Sequence, residues 1–183
     1  MLNTSFKTRP CGFSLIEMLI TVAVLSVLVS MAVPSLKIWL LNAEIRNAAE
    51  SIQGGLQRAR TEALLRNMNV EFTFLADGSS WEVKEAASGD SIEKRLKNEG
   101  SSDVTLTVVP SSAAKTVTFN NVGSRVGNKD TSDAFTEITL DLPYTVMAAG
   151  DTRELKIIVG VSGVGGTVRM CDPSITSGPR ACY

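Results

Sequence analysis

Cys11-Gly12-Phe13-Ser14-Leu15-Ile16-Glu17 opens the stretch that decides the fold. The apolar run beginning at Phe13 continues to Leu36, and Glu17 is its only ionisable side chain. A run of 24 residues suffices to cross a hydrocarbon core of ~30 Å, which needs about 20 apolar residues in a helix. Lys7 and Arg9, the only charges ahead of it, place the N-terminus in the cytoplasm by the positive-inside rule. Everything after Leu41 is then expected outside the inner membrane. An ordinary secretory signal has a shorter apolar core, followed by cleavage at small residues. Here the run passes without a break into a second helical pattern.

That second pattern covers residues 37–68. Leu41, Ile45, Ala48, Ile52, Leu56, Ala59 and Ala63 recur at steps of three or four, which describes one apolar face of an amphipathic helix. Arg46, Glu50, Arg58, Arg60 and Glu62 belong to the opposite face, expected to be solvated. Gly54-Gly55 is a weak point, at about 1 kcal/mol per glycine relative to alanine. Pro34 lies inside the preceding helix and is expected to kink or locally melt it.

After Asn69 the texture changes to short strands, read at residues 70–75, 81–85, 104–109, 116–120, 136–142, 155–162 and 167–171. Val104, Leu106 and Val108 alternate with Thr105 and Thr107, the period-two signature of a strand. Turn-forming runs separate the strands, at residues 77–80, 100–103 and 163–166. The last of them predicts a hairpin between the final two strands. Residues 123–133 read as a polar loop.

Composition removes several function classes. Eighteen basic residues face 19 acidic ones, so no global field draws the chain onto nucleic acid or an acidic surface. There is no histidine, which removes the commonest general base and the commonest metal ligand. Residues 163–166 lack the lysine and spacing of a phosphate-binding loop. No catalytic residue, metal ligand or cofactor is therefore expected.

The junction at Gly12-Phe13, with Glu17 and Pro34 in register, resembles the class III signal of type IV pilins and type II secretion pseudopilins. The resemblance implies an α+β type IV pilin fold, in which a long N-terminal helix packs on an antiparallel β-rich head. It divides the chain into a leader at residues 1–12, removed on maturation, and a transmembrane and assembly helix at 13–41. The extracytoplasmic head is then 42–183, with its amphipathic helix at 42–68 and its β-rich part at 69–183. A prepilin peptidase would cut after Gly12 and methylate the amine of Phe13. Loss of the leader removes Cys11 and leaves Cys171 and Cys182. Glu17 would pair with the N-terminal amine of a neighbouring subunit, since an unpaired carboxylate in an apolar bundle is costly. The alternative is a glutamate hydrated by lipid headgroups.

Residues 56–63 and Arg66-Asn67, followed by a strand, resemble the helix-to-strand passage of the GspH/FimT group of minor pilins and pseudopilins. The tail from Val168 to Cys182 is similar to the end of FimU-type minor pilins. That likeness implies a Cys171–Cys182 disulfide closing a loop of 12 residues, with two free thiols as the alternative. The implied role is a minor pilin that initiates or tips a type IV pilus, partnered by other minor pilins and the major pilin. Its implied location is the inner membrane and then the pilus. A GspH-like pseudopilin of type II secretion is the second reading. A FimT-like DNA-binding pilin is the third. Its Gly-Arg-x-Arg motif aligns with Gly166-Thr167-Val168-Arg169, where Thr167 replaces the first arginine. Arg169 and Arg180 would be the weak DNA contacts. Residues 151–183 hold four basic and three acidic side chains, a thin basis for binding phosphates.

Overall fold

The computed structural model describes residues 12–76, 78–143, 152–160 and 166–182. Residues 1–11 of the leader, the 163–165 part of the expected final turn and the end of the 155–162 strand lie outside them. Residues up to Lys37 form one unit and Ile38–Tyr183 a second. A single helix, α1 (Leu15–Arg66), contributes to both.

In the first unit the helix carries no core. Its large apolar side chains from Phe13 to Leu36 are each 51–80% exposed, far more apolar surface than water tolerates uncovered. Its polar side chains are satisfied locally. Thr21, Ser26, Ser30 and Ser35 each donate to the carbonyl three residues back at 2.7–2.9 Å. Such internal bonding suits a helix placed where no water can serve its hydroxyls. By length and composition this is one helix able to cross a membrane. Helical structure is continuous through position 34.

In the second unit the helix turns its alanine-rich stripe onto a sheet. Ile45, Ala48, Ala49, Ile52, Leu56, Ala59 and Ala63 are all 0–2% exposed, which is the predicted face almost residue for residue. Asn67 ends the helix in the left-handed region at φ 54°. The Met68 amide donates to the Ala63 carbonyl at 3.3 Å, closing a Schellman-type cap.

Among the described residues, nine strands follow in two antiparallel sheets. The first holds β1 (Val70–Phe74), β2 (Trp81–Glu85), β3 (Ser91–Arg95), β5 (Thr116–Phe119) and β6 (Arg125–Val126), in the order β3-β2-β1-β5-β6. The second holds β4 (Thr105–Val109), β7 (Glu137–Asp141), β8 (Leu155–Val159) and β9 (Val168–Cys171), in the order β4-β7-β8-β9. The last two strands pair antiparallel from Lys156↔Cys171 to Val159↔Val168, as a hairpin requires. Phe72 stacks on Trp81 with centroids 5.5 Å apart and meets Phe135 edge-on. The Trp81 indole N–H donates to Ser51 Oγ at 3.0 Å, fastening β2 to the helix.

Two strands escape the sequence reading. In β3 only Ile92 packs on the core, and Glu93, Lys94 and Arg95 follow it. Charges on an edge strand blunt unwanted pairing and hide the alternation that reveals strands. The loop expected at 123–133 contains β6, a two-residue strand paired through Thr118↔Val126 and Phe119↔Arg125.

Candidate functional site

The predicted site residues lie at the start of the helix, at position 34 within it and in the cysteine-containing tail, and the arginine-rich stretch before the helix end, expected to be a solvated face, is a further region of interest. At the start, Gly12 is exposed, and a Cβ built on it meets nothing within 4 Å. Phe13 is 80% exposed. Helical structure begins at Leu15, so Glu17 lies in the first turn, where the helix dipole favours a negative charge. Glu17 is exposed, and no ion pair engages it among the described residues.

The arginine-rich stretch differs from expectation. Glu62 is 6% exposed, not solvated. It accepts from Arg58 at 3.0 Å and from Arg66 at 2.6 Å, and Arg66 reaches on to Glu85 of β2 at 2.7 Å. Arg58 also approaches Glu93 of β3 at 3.6 Å. The i,i+4 row of 58, 62 and 66 lies along the flank of the first sheet, and a buried carboxylate there needs cations on both sides. Arg60 is half-buried, and its Nε is buried without a hydrogen-bond partner. The helix-face count missed this because the flanking strands β2 and β3 supply half of the environment.

Gly55 is the second residue that sequence reasoning misjudged. A Cβ on it would stand 2.9 Å from both the Phe72 and Trp81 rings, whereas one on Gly54 would meet nothing within 4 Å. Gly55 therefore permits the helix to approach the aromatic pair closely. The signal available in sequence was only its place in the buried stripe, one position before Leu56.

In the tail, Cys171 and Cys182 form a disulfide with Cα atoms 5.2 Å apart. The loop it closes is heavily bonded. The Asp172 amide donates to the Arg180 carbonyl at 2.8 Å, and Arg169 Nη2 donates to the Ala181 carbonyl at 3.1 Å. Asp172 is 4% exposed. It accepts from Arg153 Nε at 3.0 Å and from the Ser174 amide and hydroxyl. Burial pushes its carboxyl up, but the bonds from Ser174 and Arg153 outweigh that and hold it below the ordinary carboxylate value. The Arg153 amide donates to Asn42 Oδ1 at 2.7 Å, tying the start of β8 to the helix. Of the two candidate DNA contacts, Arg169 is half-buried and engaged in holding the tail, and Arg180 is exposed.

A helix whose first half is apolar on every side and whose second half packs on antiparallel sheets defines a pilin-like subunit. The family model of type II transport protein GspH matches residues 48–163, and that of the prokaryotic N-terminal methylation motif matches 7–33. With well over half of its length matched, the chain belongs to the GspH family. Among solved structures it is similar to the type IV minor pilin FimU of Pseudomonas aeruginosa. That match has a TM-score of 0.51 and 21% identity, over 77% of this chain and 96% of that one. The minor pseudopilin EpsH of the Vibrio cholerae type 2 secretion system also matches. Its TM-score is 0.47 with 15% identity, over 72% of this chain and 99% of that one. No curated protein matches the chain. The chain is thus a GspH-family protein with a pilin-like fold and an apolar N-terminal helix suited to membrane anchoring.

Proposed function

We propose that the chain is a minor pilin that helps to initiate or tip a type IV pilus, by helix packing below and head docking above. The observation that carries this reading is the lone carboxylate of Glu17 in a run, Phe13 to Leu36, whose large apolar side chains are all exposed. Such a helix needs lipid or other helices around it, and such a carboxylate needs a cation within them. Cleavage after Gly12 supplies that cation as the Phe13 amine of an adjoining subunit. In this reading the prepilin peptidase acts at the exposed Gly12-Phe13 junction, and the head stands on the periplasmic side of the inner membrane. The subunit performs no catalysis of its own.

The second reading, a pseudopilin of type II secretion, is favoured by the name of the matching family model. The cysteine-closed tail favours the pilus, because GspH-type pseudopilins usually lack that ending. The DNA-binding reading is weakest, since the Thr167 substitution and the engagement of Arg169 leave few cations for phosphate. The test is mass spectrometry of sheared pili. Recovery of this chain at low stoichiometry with other minor pilins supports the proposal. Its absence from pili, together with its presence in a secretion pseudopilus, replaces the first reading by the second.

A further inference from the structure

The head unit contains a cavity of about 380 Å³ that the assembly reading does not use. Its lining includes Trp39 and Arg46 from the helix, Arg153 and Leu155 at the start of β8, Met170 of β9, and Arg180 of the tail. Each wall is fixed. Asn42 holds the Arg153 backbone. The buried Asp172 holds Arg153 Nε. The disulfide and the Arg169–Ala181 bond hold the loop that carries Arg180.

The chemistry of the lining selects an anion with an apolar neighbour. Three arginines stand against a single aspartate among the lining residues. Arg46 and Arg153 engage Glu50 and Asp172 through Nε at 2.9 and 3.0 Å, and each guanidinium carries further N–H donors beyond that one. Guanidinium groups suit phosphate oxygens. Leu155 and Met170 add apolar lining, and Trp39 stands 65% exposed. An exposed tryptophan is costly in water but favoured at headgroup depth, where its ring and N–H find both media. Trp39 follows the last residue of the apolar run, Leu36, by three positions.

We propose that this cavity is a binding site for the headgroup of an anionic phospholipid in the leaflet from which the head emerges. The arginines take the phosphodiester, and Trp39, Leu155 and Met170 take the glycerol and first methylenes. A zwitterionic headgroup would bring its ammonium into a positive site, so the preference is for net negative lipid. The inference rests on the membrane-anchored reading. It goes beyond that reading by giving the head its own lipid contact.

The test uses the full chain in neutral detergent, with retained phosphatidylglycerol and phosphatidylcholine counted by native mass spectrometry. The parent should retain phosphatidylglycerol preferentially. Arg180→Gln leaves the Arg153–Asp172 pair intact and should lower that preference about fivefold, the factor for one arginine near an anionic surface. Arg153→Gln/Arg180→Gln should abolish it. Lys94→Gln/Lys115→Gln, which removes the same charge elsewhere on the head, should leave it unchanged. Equal retention of the two lipids by the parent, or equal losses in the remote control, would overturn the proposal. A photoreactive residue at position 39 in whole membranes should capture lipid, and capture of another pilin instead would also overturn it. Membrane fractionation of Arg180→Gln reports on anchoring separately, so loss of the lipid preference in a chain that still fractionates with membranes leaves the anchoring reading standing.

Discussion

Gly55 of the helix faces Trp81 of β2 so closely that a methyl group on the glycine would stand 2.9 Å from the indole ring. Next to it, Gly54 has open space. Two adjacent glycines with equal helix propensity are therefore expected to respond oppositely to the same substitution. Gly54→Ala should stabilise by about 0.5–1 kcal/mol, the usual helix-interior difference. Gly55→Ala should destabilise by about 1–3 kcal/mol, since the aromatic pair must shift to admit the methyl group. Thermal melts of both variants against the parent check this, and like-signed shifts would contradict the packing described.

This contrast marks the limit of what the sequence discloses. The buried stripe from Ile45 to Ala63 was legible because helical periodicity reports which residues share a face. The same periodicity misplaced Glu62, whose partners Arg58 and Arg66 also reach Glu93 and Glu85 of strands further along the chain. Strand β3 was hidden because its solvent-facing charges leave only Ile92 to signal a core. The cysteine pair was legible through the likeness of the tail to FimU-type minor pilins. Its ties to Asn42 and Arg153 were not, because no spacing rule brings residue 42 to residue 153.

Removal of the Cys171–Cys182 bond should cost the head about 2–4 kcal/mol, the usual range for a native disulfide closing a short loop. Cys182→Ser should lower the melting temperature, and mild reductant should lower that of the parent but not of the variant. Peptide mapping without reductant should yield one cross-linked peptide from the parent.

Acid should weaken the same corner of the head. The folded-state value of Asp172 lies below its unfolded one. The stability it contributes is therefore full above roughly pH 4, the ordinary aspartate range. It is lost as pH falls through the lower folded value. Asp172→Asn should be less stable than the parent at neutral pH, and the two should converge in acid. At the alkaline end, the bond to Glu137 raises the Lys156 ammonium above its ordinary value. Its contribution is present below about pH 10 and is lost as pH rises through the folded value. Melting temperatures from pH 2 to 11 give both limbs, and a constant gap between Asp172→Asn and the parent at low pH would count against the assignment.

Duplex DNA should bind the full chain weakly at physiological salt, because Thr167 replaces a motif arginine and Arg169 is occupied by the tail. A titration showing micromolar or tighter affinity with a steep salt slope would promote the DNA-uptake reading over pilus initiation.

The central claim is that Glu17 acts as a charge partner between subunits once Gly12-Phe13 is cut. Glu17→Ala should leave cleavage, membrane insertion and the fold of the head unchanged, since Glu17 is exposed and belongs to the first unit. It should lower recovery in sheared pili and in co-purification with partner pilins, because one intersubunit ion pair is lost. An acidic side chain left unpaired at the centre of a membrane costs roughly 2.5–3.5 kcal/mol, so the subunit is expected just below the tip, not at its outermost point. The most direct measurement is quantitative mass spectrometry of sheared pili from strains carrying the parent chain or Glu17→Ala. The account predicts an N-terminal peptide beginning with methylated Phe13 in the parent sample, and strong depletion of the variant, with both chains equally processed in membranes. Equal amounts of parent and variant in pili, or a parent chain that still begins at Met1, would contradict it.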